Sequence, residues 1–102
     1  MFLVQFLLPL YDNSGQRFGT ERFAQVSDEL TESHGGVTAY MRSPAHGAWK
    51  EPTGEVDRDD VVMFEVMVEQ LDRQWWAAYR KKLEKRFSQE ALIVRATACE
   101  RL

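Results

Sequence analysis

The segment Val61–Glu69 restricts the fold of this chain more than any other feature. It is nine residues long, and only Glu65 and Glu69 interrupt an otherwise apolar run. A short apolar run rich in valine is typical of a buried β-strand. We therefore predict that this segment is a central strand of a sheet.

Three other segments also have strand character. They are the apolar N-terminal run Met1–Leu10, the alternating segment Val37–Arg42, and Ala91–Cys99. The N-terminal run lacks a basic start and a small-residue cleavage site, and it is too short to span a bilayer. It leads directly into a turn-rich segment that begins at Tyr11, so we interpret it as a strand and not as a signal peptide.

Two segments between the strands have helical periodicity. Thr20 is the predicted N-cap of the first helix, which should end near His34, where Gly35 offers a left-handed stop. Asp72 is the predicted N-cap of the second helix. The apolar stripes consist of Phe23, Val26 and Leu30 in the first helix and Trp76, Tyr79, Leu83 and Phe87 in the second.

The resulting element order is β-α-β-β-α-β, which predicts a single α+β domain over residues 1–102 with a ferredoxin-like fold. Crossover connections are right-handed, so both helices should cover one face of a four-stranded antiparallel sheet. Strands one and three should be central, with strand four beside one and strand two beside three. The polar, turn-rich segment Ser43–Asp60 should form a long β2-β3 hairpin arm.

Side-chain alternation assigns the two faces of this sheet. The apolar parity, which should pack on the helices, consists of Phe2, Val4, Phe6, Leu8, Val37, Ala39, Met41, Val62, Phe64, Val66, Val68, Leu92, Val94, Ala96 and Ala98. The opposite parity mixes polar residues with Leu3, Leu7, Met63, Met67 and Ile93. So much apolar surface favours a cover, and the simplest cover is a second copy of the chain. We therefore expect a homodimer or a higher homo-oligomer.

A polar row should cross the middle of this open face. In the predicted strand order it contains Arg95, Gln5, Glu65, and Tyr40 or Arg42. A carboxylate among apolar neighbours can serve as a general base, so Glu65 is the weak candidate for a catalytic residue. An ion pair between Glu65 and one of the arginines would instead set strand register or dimer geometry. The Tyr40 hydroxyl could donate to a ligand, although packing is the more common role of a tyrosine on a strand.

Two further candidate binding residues, His46 and Trp49, lie on the predicted arm. Trp49 would be either a lid over the open face or a dimer contact, because an exposed tryptophan usually finds a partner surface. His46 has acidic neighbours, but their spacing matches no known ligand motif, so we predict no metal site. The sequence also lacks a glycine-rich phosphate loop, and we predict no cofactor.

The charge balance and the single cysteine bear on partners and compartment. The net charge is -3 at pH 7, which disfavours nucleic acid. An RNA-recognition domain would also need stacking aromatic residues where this chain has Leu3, Gln5, Met63 and Glu65. Cys99 is the single cysteine, so no intrachain disulfide can form. We expect a cytoplasmic protein that binds neither nucleic acid nor a membrane.

Three short motifs carry a resemblance to a known family. They are Gly35–Thr38, Gly47-Ala48-Trp49 followed by Gly54, and the segment Arg86–Glu90. With these motifs the chain resembles a family of uncharacterised bacterial proteins, small and ferredoxin-like, with no established activity. The layout is more loosely similar to the dimeric α+β barrel proteins. That second resemblance implies a ligand between sheet and helices or on the sheet face.

Two functional hypotheses follow for the open face. The first is a homodimeric protein that binds a small organic molecule near the polar row, with an anionic part of the ligand at the arginines. The alternative is a non-catalytic dimerisation, interaction or regulatory module without a small-molecule pocket, with Trp49 as an anchor. The residue pattern leaves open whether the protein is an enzyme.

Overall fold

The computed structural model describes residues 1–42 and 61–102. Its elements in chain order are β1 (Phe2–Pro9), α1 (Thr20–His34), β2 (Thr38–Arg42), β3 (Val61–Val68), α2 (Arg73–Arg86) and β4 (Val94–Ala98). The predicted ferredoxin-like β-α-β-β-α-β order is confirmed. The predicted arm, with His46 and Trp49, lies outside the described residues.

The four strands form one antiparallel sheet in the order β2-β3-β1-β4. This confirms that β1 and β3 are central. Their ladder runs from Phe2 opposite Val68 to Pro9 opposite Val61, so the two most apolar segments of the chain pair along their full length. The order of the strands fixes which polar side chains meet on the open face.

The helix boundaries agree with the predictions except at one cap. The N-cap of α1 is Gly19, without a side-chain cap hydrogen bond, and Thr20 is the first helical residue, so the Thr20 prediction was wrong by one position. Gly35 ends α1 with a φ of 82° and donates its N–H to Thr31 at 2.8 Å. Asp72 caps α2 as predicted, because its carboxylate accepts the Trp75 N–H at 3.0 Å.

The core lies between the helices and the two central strands. Phe6 and Phe64 stack at its centre with ring centroids 5.3 Å apart. The buried apolar residues of the sheet and helices include Val4, Leu8, Val26, Leu30, Val62, Val66, Val68, Trp76, Tyr79, Leu83 and Phe87. The stripe predicted for α2 is therefore buried in full, and these side chains supply most of the apolar burial that stabilises the domain.

The edge strands depart from the prediction made from alternation. Ala39 on β2 and Ala96 and Ala98 on β4 belong to the apolar parity, yet all three are exposed. The two helices pack over β1 and β3, and they leave the outer positions of the edge strands uncovered. Strand β4 is also shorter than the predicted segment, since the Leu92 N–H donates to the Glu84 carboxylate at 2.8 Å and not to a neighbouring strand.

An ion pair joins the two helices beside the core. Two nitrogens of Arg86 donate to the two carboxylate oxygens of Glu29 at 2.6 and 3.0 Å, and the Tyr79 hydroxyl donates to the same carboxylate at 3.0 Å. The hydrogen bonds from Arg86 are the main reason that the pKa of Glu29 is lowered. Burial, together with the Glu29 charge, raises the pKa of Tyr79. We call these three residues the helix clamp.

No helix among the described residues is long and apolar enough to cross a membrane.

Candidate functional site

Glu65 is the centre of a hydrogen-bonded group on the open face of the sheet. The Gln5 amide and the Tyr40 hydroxyl each donate to Oε1 of Glu65 at 2.7 Å. Charge-assisted bonds of this length hold a side chain in one orientation. The half-buried carboxylate is therefore fixed from two sides, and no hydrogen bond from a described residue reaches its Oε2.

Strand register explains how these residues meet. Gln5 lies directly opposite both Glu65 on β3 and Arg95 on β4. The predicted row Arg95-Gln5-Glu65 is therefore present across three strands.

The row differs from the prediction at its β2 end. Thr38 lies opposite Glu65, whereas Tyr40 lies opposite Met63 and Arg42 lies opposite Val61. Tyr40 reaches Glu65 diagonally, over a distance that a long aromatic side chain can span. Thr38 is thus a member of the row that the sequence interpretation missed.

The ion-pair alternative for Glu65 can be compared with the ion pairs of the described residues. Those are Arg80 with Glu84 and Arg86 with Glu29, both on the helix side. Glu65 and Arg95 do not form an ion pair with each other in this conformation. On the described part of the open face, the partners of the Glu65 carboxylate are thus an amide and a phenol.

A groove of about 400 Å³ borders this carboxylate. We call it the Glu65 groove. Its walls are formed by Leu3, Glu65 and Met67 from the central strands and by the segment 34–38, which connects α1 to β2. The groove combines an apolar floor with a carboxylate, a threonine and a histidine. A small number of polar groups that point into an apolar groove is typical of small-molecule sites.

His34 is a second residue of this site that sequence reasoning undervalued. The sequence placed it only near the end of the first helix, whereas in the structure its ring stacks on Trp76 at 5.0 Å and meets the edge of Trp75 at 4.5 Å. Burial against these indoles lowers the pKa of His34, and the charge of Asp72 partly opposes this. The neutral imidazole is therefore favoured. The contact arises because the end of α1 packs beside the start of α2.

The open face is less apolar than its sequence pattern suggests. Met63 was counted among the exposed residues, yet it is only 4% exposed. The Tyr40 hydroxyl and the Gln5 amide lie 2.8 and 3.8 Å from its sulfur and help to cover it. Leu7 at 38% and Met67 at 50% remain exposed on this face.

The fold and this site together define a small α+β domain with a ferredoxin-like sheet and a carboxylate-bearing groove on its open face. No protein-family model matches the sequence, and the search of curated proteins also gave no match. The resemblance to an uncharacterised bacterial family therefore stays a prediction.

Two solved structures are similar to this chain in fold. One is a phage SAM lyase in complex with S-methyl-5'-thioadenosine, with a TM-score of 0.62 and 15% sequence identity over 94% of this chain and 79% of that one. The other is a phage SAM lyase in the apo state, with a TM-score of 0.57 and 14% identity over 94% of this chain and 78% of that one. At this level of identity the similarity supports the α+β architecture alone.

Proposed function

We propose that the protein binds a small organic molecule in the Glu65 groove, with a cationic or hydrogen-bond-donating group of the ligand at Glu65. The main support is the pair of 2.7 Å hydrogen bonds from Gln5 and Tyr40 to Oε1. They orient the carboxylate before a ligand arrives, which lowers the entropic cost of binding. Oε2 is then the oxygen that accepts from the ligand, and Glu65 is also the candidate general base of this proposal.

The polar row also suggests where an anionic part of the ligand would lie. Arg95 is two strands from Glu65 in the same row, which corresponds to about 10 Å at the usual strand spacing. A molecule with a positive and a negative end at that separation would complement both residues. Amino-acid derivatives have this character when their cation lies many bonds from the carboxylate, at the far end of an extended side chain.

The fold comparison supplies two concrete probes. One of the similar structures holds S-methyl-5'-thioadenosine and is described as a SAM lyase. SAM, S-adenosylmethionine, carries a sulfonium cation and a carboxylate, whereas the thioadenosine carries neither. The pair therefore tests whether charge at Glu65 and Arg95 contributes to binding.

The test is isothermal titration of the full chain with each probe and with a panel of amino-acid derivatives. The Glu65→Gln variant keeps the shape of the side chain, and Glu69→Gln is the matched control, since Glu69 is exposed at the end of the same strand and does not line the groove. We expect wild type and E69Q to bind SAM alike and E65Q to bind it at least tenfold more weakly. Binding of the thioadenosine should change much less.

Two results would reject the proposal. One is that E65Q binds every ligand of the panel as tightly as wild type does. The other is that wild type binds nothing in the panel at millimolar concentration. Chromatography of the same mixtures after incubation tests for turnover, and a product that forms with E69Q but not with E65Q would assign the general base.

A second candidate function, self-association through the open face, is favoured by the exposure of Leu7 and Met67. We propose that a second copy covers this patch. Leu7→Lys should convert a dimer into a monomer in light scattering, while Gln16→Lys, in the exposed β1-α1 loop, should not. A wild-type chain that stays monomeric at 100 µM would contradict this candidate.

A further inference from the structure

A second groove, of about 210 Å³, lies between α2 and β4. We call it the α2-β4 groove. Its apolar residues include Val4, Leu71, Trp76 and Val94, and Arg73 and Arg80 stand on its α2 side. It exists because the helices leave the β4 edge uncovered. Val4 and Val94 belong to the helix-facing parity, so the floor of this groove and the Glu65 carboxylate lie on opposite faces of the sheet.

Trp76, which lines this groove, carries an unusual polar group. Its indole N–H is buried and has no hydrogen-bond acceptor among the described residues. Trp76 as a whole residue is only 5% exposed. Buried tryptophan N–H groups usually find an acceptor, and an unpaired one calls for an explanation. The nitrogen is not exposed to the groove in this conformation, so an acceptor from a ligand reaches it only when the Trp76 ring turns toward the groove.

The charges around the groove favour an anion. The described residues that line it include Arg73 and Arg80 but no acidic residue. One nitrogen of Arg80 donates to Glu84 at 3.0 Å, and the guanidinium has other N–H groups to offer. The groove also runs beside the first turns of α2, where the helix dipole favours negative charge. Arg95 also lines this groove, on the β4 side, and adds a third positive charge.

We propose that the α2-β4 groove is a ligand site separate from the Glu65 groove, and that its ligand is a small organic carboxylate with an apolar body. The carboxylate pairs with Arg73 and Arg80, because a planar guanidinium matches a carboxylate in geometry. The apolar body lies against Leu71 and Val94. An oxygen of the ligand accepts from Trp76 after its ring has turned toward the groove. The volume is below that of pockets for drug-sized molecules, so an acid with a single ring is the appropriate size.

The experiment compares phenylacetate with phenylacetamide, which have nearly the same shape but differ in charge. The full chain is titrated with each, and binding is followed by the indole N–H resonances in a ¹H–¹⁵N NMR spectrum. We expect the Trp76 resonance to shift with phenylacetate and the amide to bind at least tenfold more weakly. Arg73→Gln should weaken phenylacetate at least fivefold. Lys85→Gln, which removes an exposed positive charge from the same helix outside the groove, should not.

Trp76→Phe removes the donor but also changes the core, so its fold is verified from the rest of the spectrum before titration. If this variant does not fold, the Arg73→Gln and amide comparisons decide the matter alone. Equal binding of acid and amide would overturn the proposal. Unchanged binding by Arg73→Gln would overturn it too, as would phenylacetate shifts confined to Leu3, Thr38 and Glu65. The test depends on Arg73, which has no part in the proposed function above, so the two proposals can fail separately.

Discussion

Removal of the Glu29 carboxylate should be among the most damaging single changes outside the hydrophobic core. Glu29 accepts two hydrogen bonds from Arg86 and one from Tyr79. The side chains of Arg86 and Glu29 are only 18% and 28% exposed. Glu29→Ala therefore leaves a half-buried guanidinium and a buried phenol without this common acceptor.

The expected magnitude follows from these contacts. Hydrogen bonds to charged groups contribute about 1.5–3 kcal/mol each when buried, and the loss of one partner of a fully buried pair costs about 3–5 kcal/mol. Water can still reach part of the helix clamp, which lowers both values. We expect the free energy of unfolding to fall by about 2–3 kcal/mol, and the melting temperature to fall by roughly 10–20 °C for a domain of this size.

Urea denaturation followed by tryptophan fluorescence measures this loss, and a double-mutant cycle with Arg86→Ala isolates the coupling between the two residues. Arg80→Gln is the matched control, because the Arg80–Glu84 pair has the i,i+4 spacing of one helix and its arginine is 35% exposed. Such a pair contributes only about 0.3–0.5 kcal/mol. If Glu29→Ala and Arg80→Gln destabilise the chain equally, the reasoning from burial and multiple partners is wrong.

Three further predictions concern the helix caps and the pH dependence of stability. Asp72→Ala should cost about 1 kcal/mol, because the Asp72 side chain caps α2; a urea midpoint equal to that of wild type would contradict this. Gly35→Ala should cost about 1 kcal/mol through the positive φ of Gly35 alone, since a Cβ added there contacts no other atom. Gly36 has no positive φ, so Gly36→Ala should not lower the stability. Equal urea midpoints for the two alanine variants would refute the conformational argument. The free energy of unfolding should decrease as the pH falls below about 6.5, because burial lowers the pKa of His34 below its ordinary value of 6.5 and the unfolded chain takes up the proton first. A second decrease should begin below about 4.5. The pKa of Glu29 is lowered in the folded chain, so in this range its carboxylate becomes protonated only on unfolding. His34→Gln should flatten the first phase without changing the second.

The fold could be predicted because several local signals agree. The apolar run of β3, the glycine stop after α1 and the Asp72 cap of α2 each depend on neighbouring residues only, and together they fix the element order. The Thr20 cap was misplaced by one residue, since Gly19 can also adopt the extended conformation of an N-cap. The start of β4 was missed because Glu84, eight residues away in the chain, accepts the Leu92 N–H.

The candidate site could be predicted only in part. Gln5 and Glu65 were found because both lie near the middle of long, strongly patterned strands. Arg95 was found because it is the middle residue of the predicted segment Ala91–Cys99, and the shorter observed strand Val94–Ala98 keeps it opposite Gln5. The residue of β2 that lies opposite Glu65 could not be predicted. The register between β2 and β3 depends on the segment that connects them, and the length of that segment does not determine the register. Thr38 and Tyr40 have the same parity, and only the ladder with Met63 and Glu65 distinguishes their positions.

The alternation of side chains did not reveal how far the two helices cover the sheet. Alternation shows which face a side chain is on, but two helices above four strands cannot cover every position on that face. Small residues on the edge strands, such as Ala39 and Ala96, mark the places where the helix layer ends. Grooves lie at both places, one of about 260 Å³ beside Ala39 and Phe23 and one of about 210 Å³ beside Ala96 and Trp76. In this fold an alanine of the apolar parity on an edge strand therefore marks the border of a groove and not a part of the core. At the second groove Arg73 and Arg80 make that border positively charged.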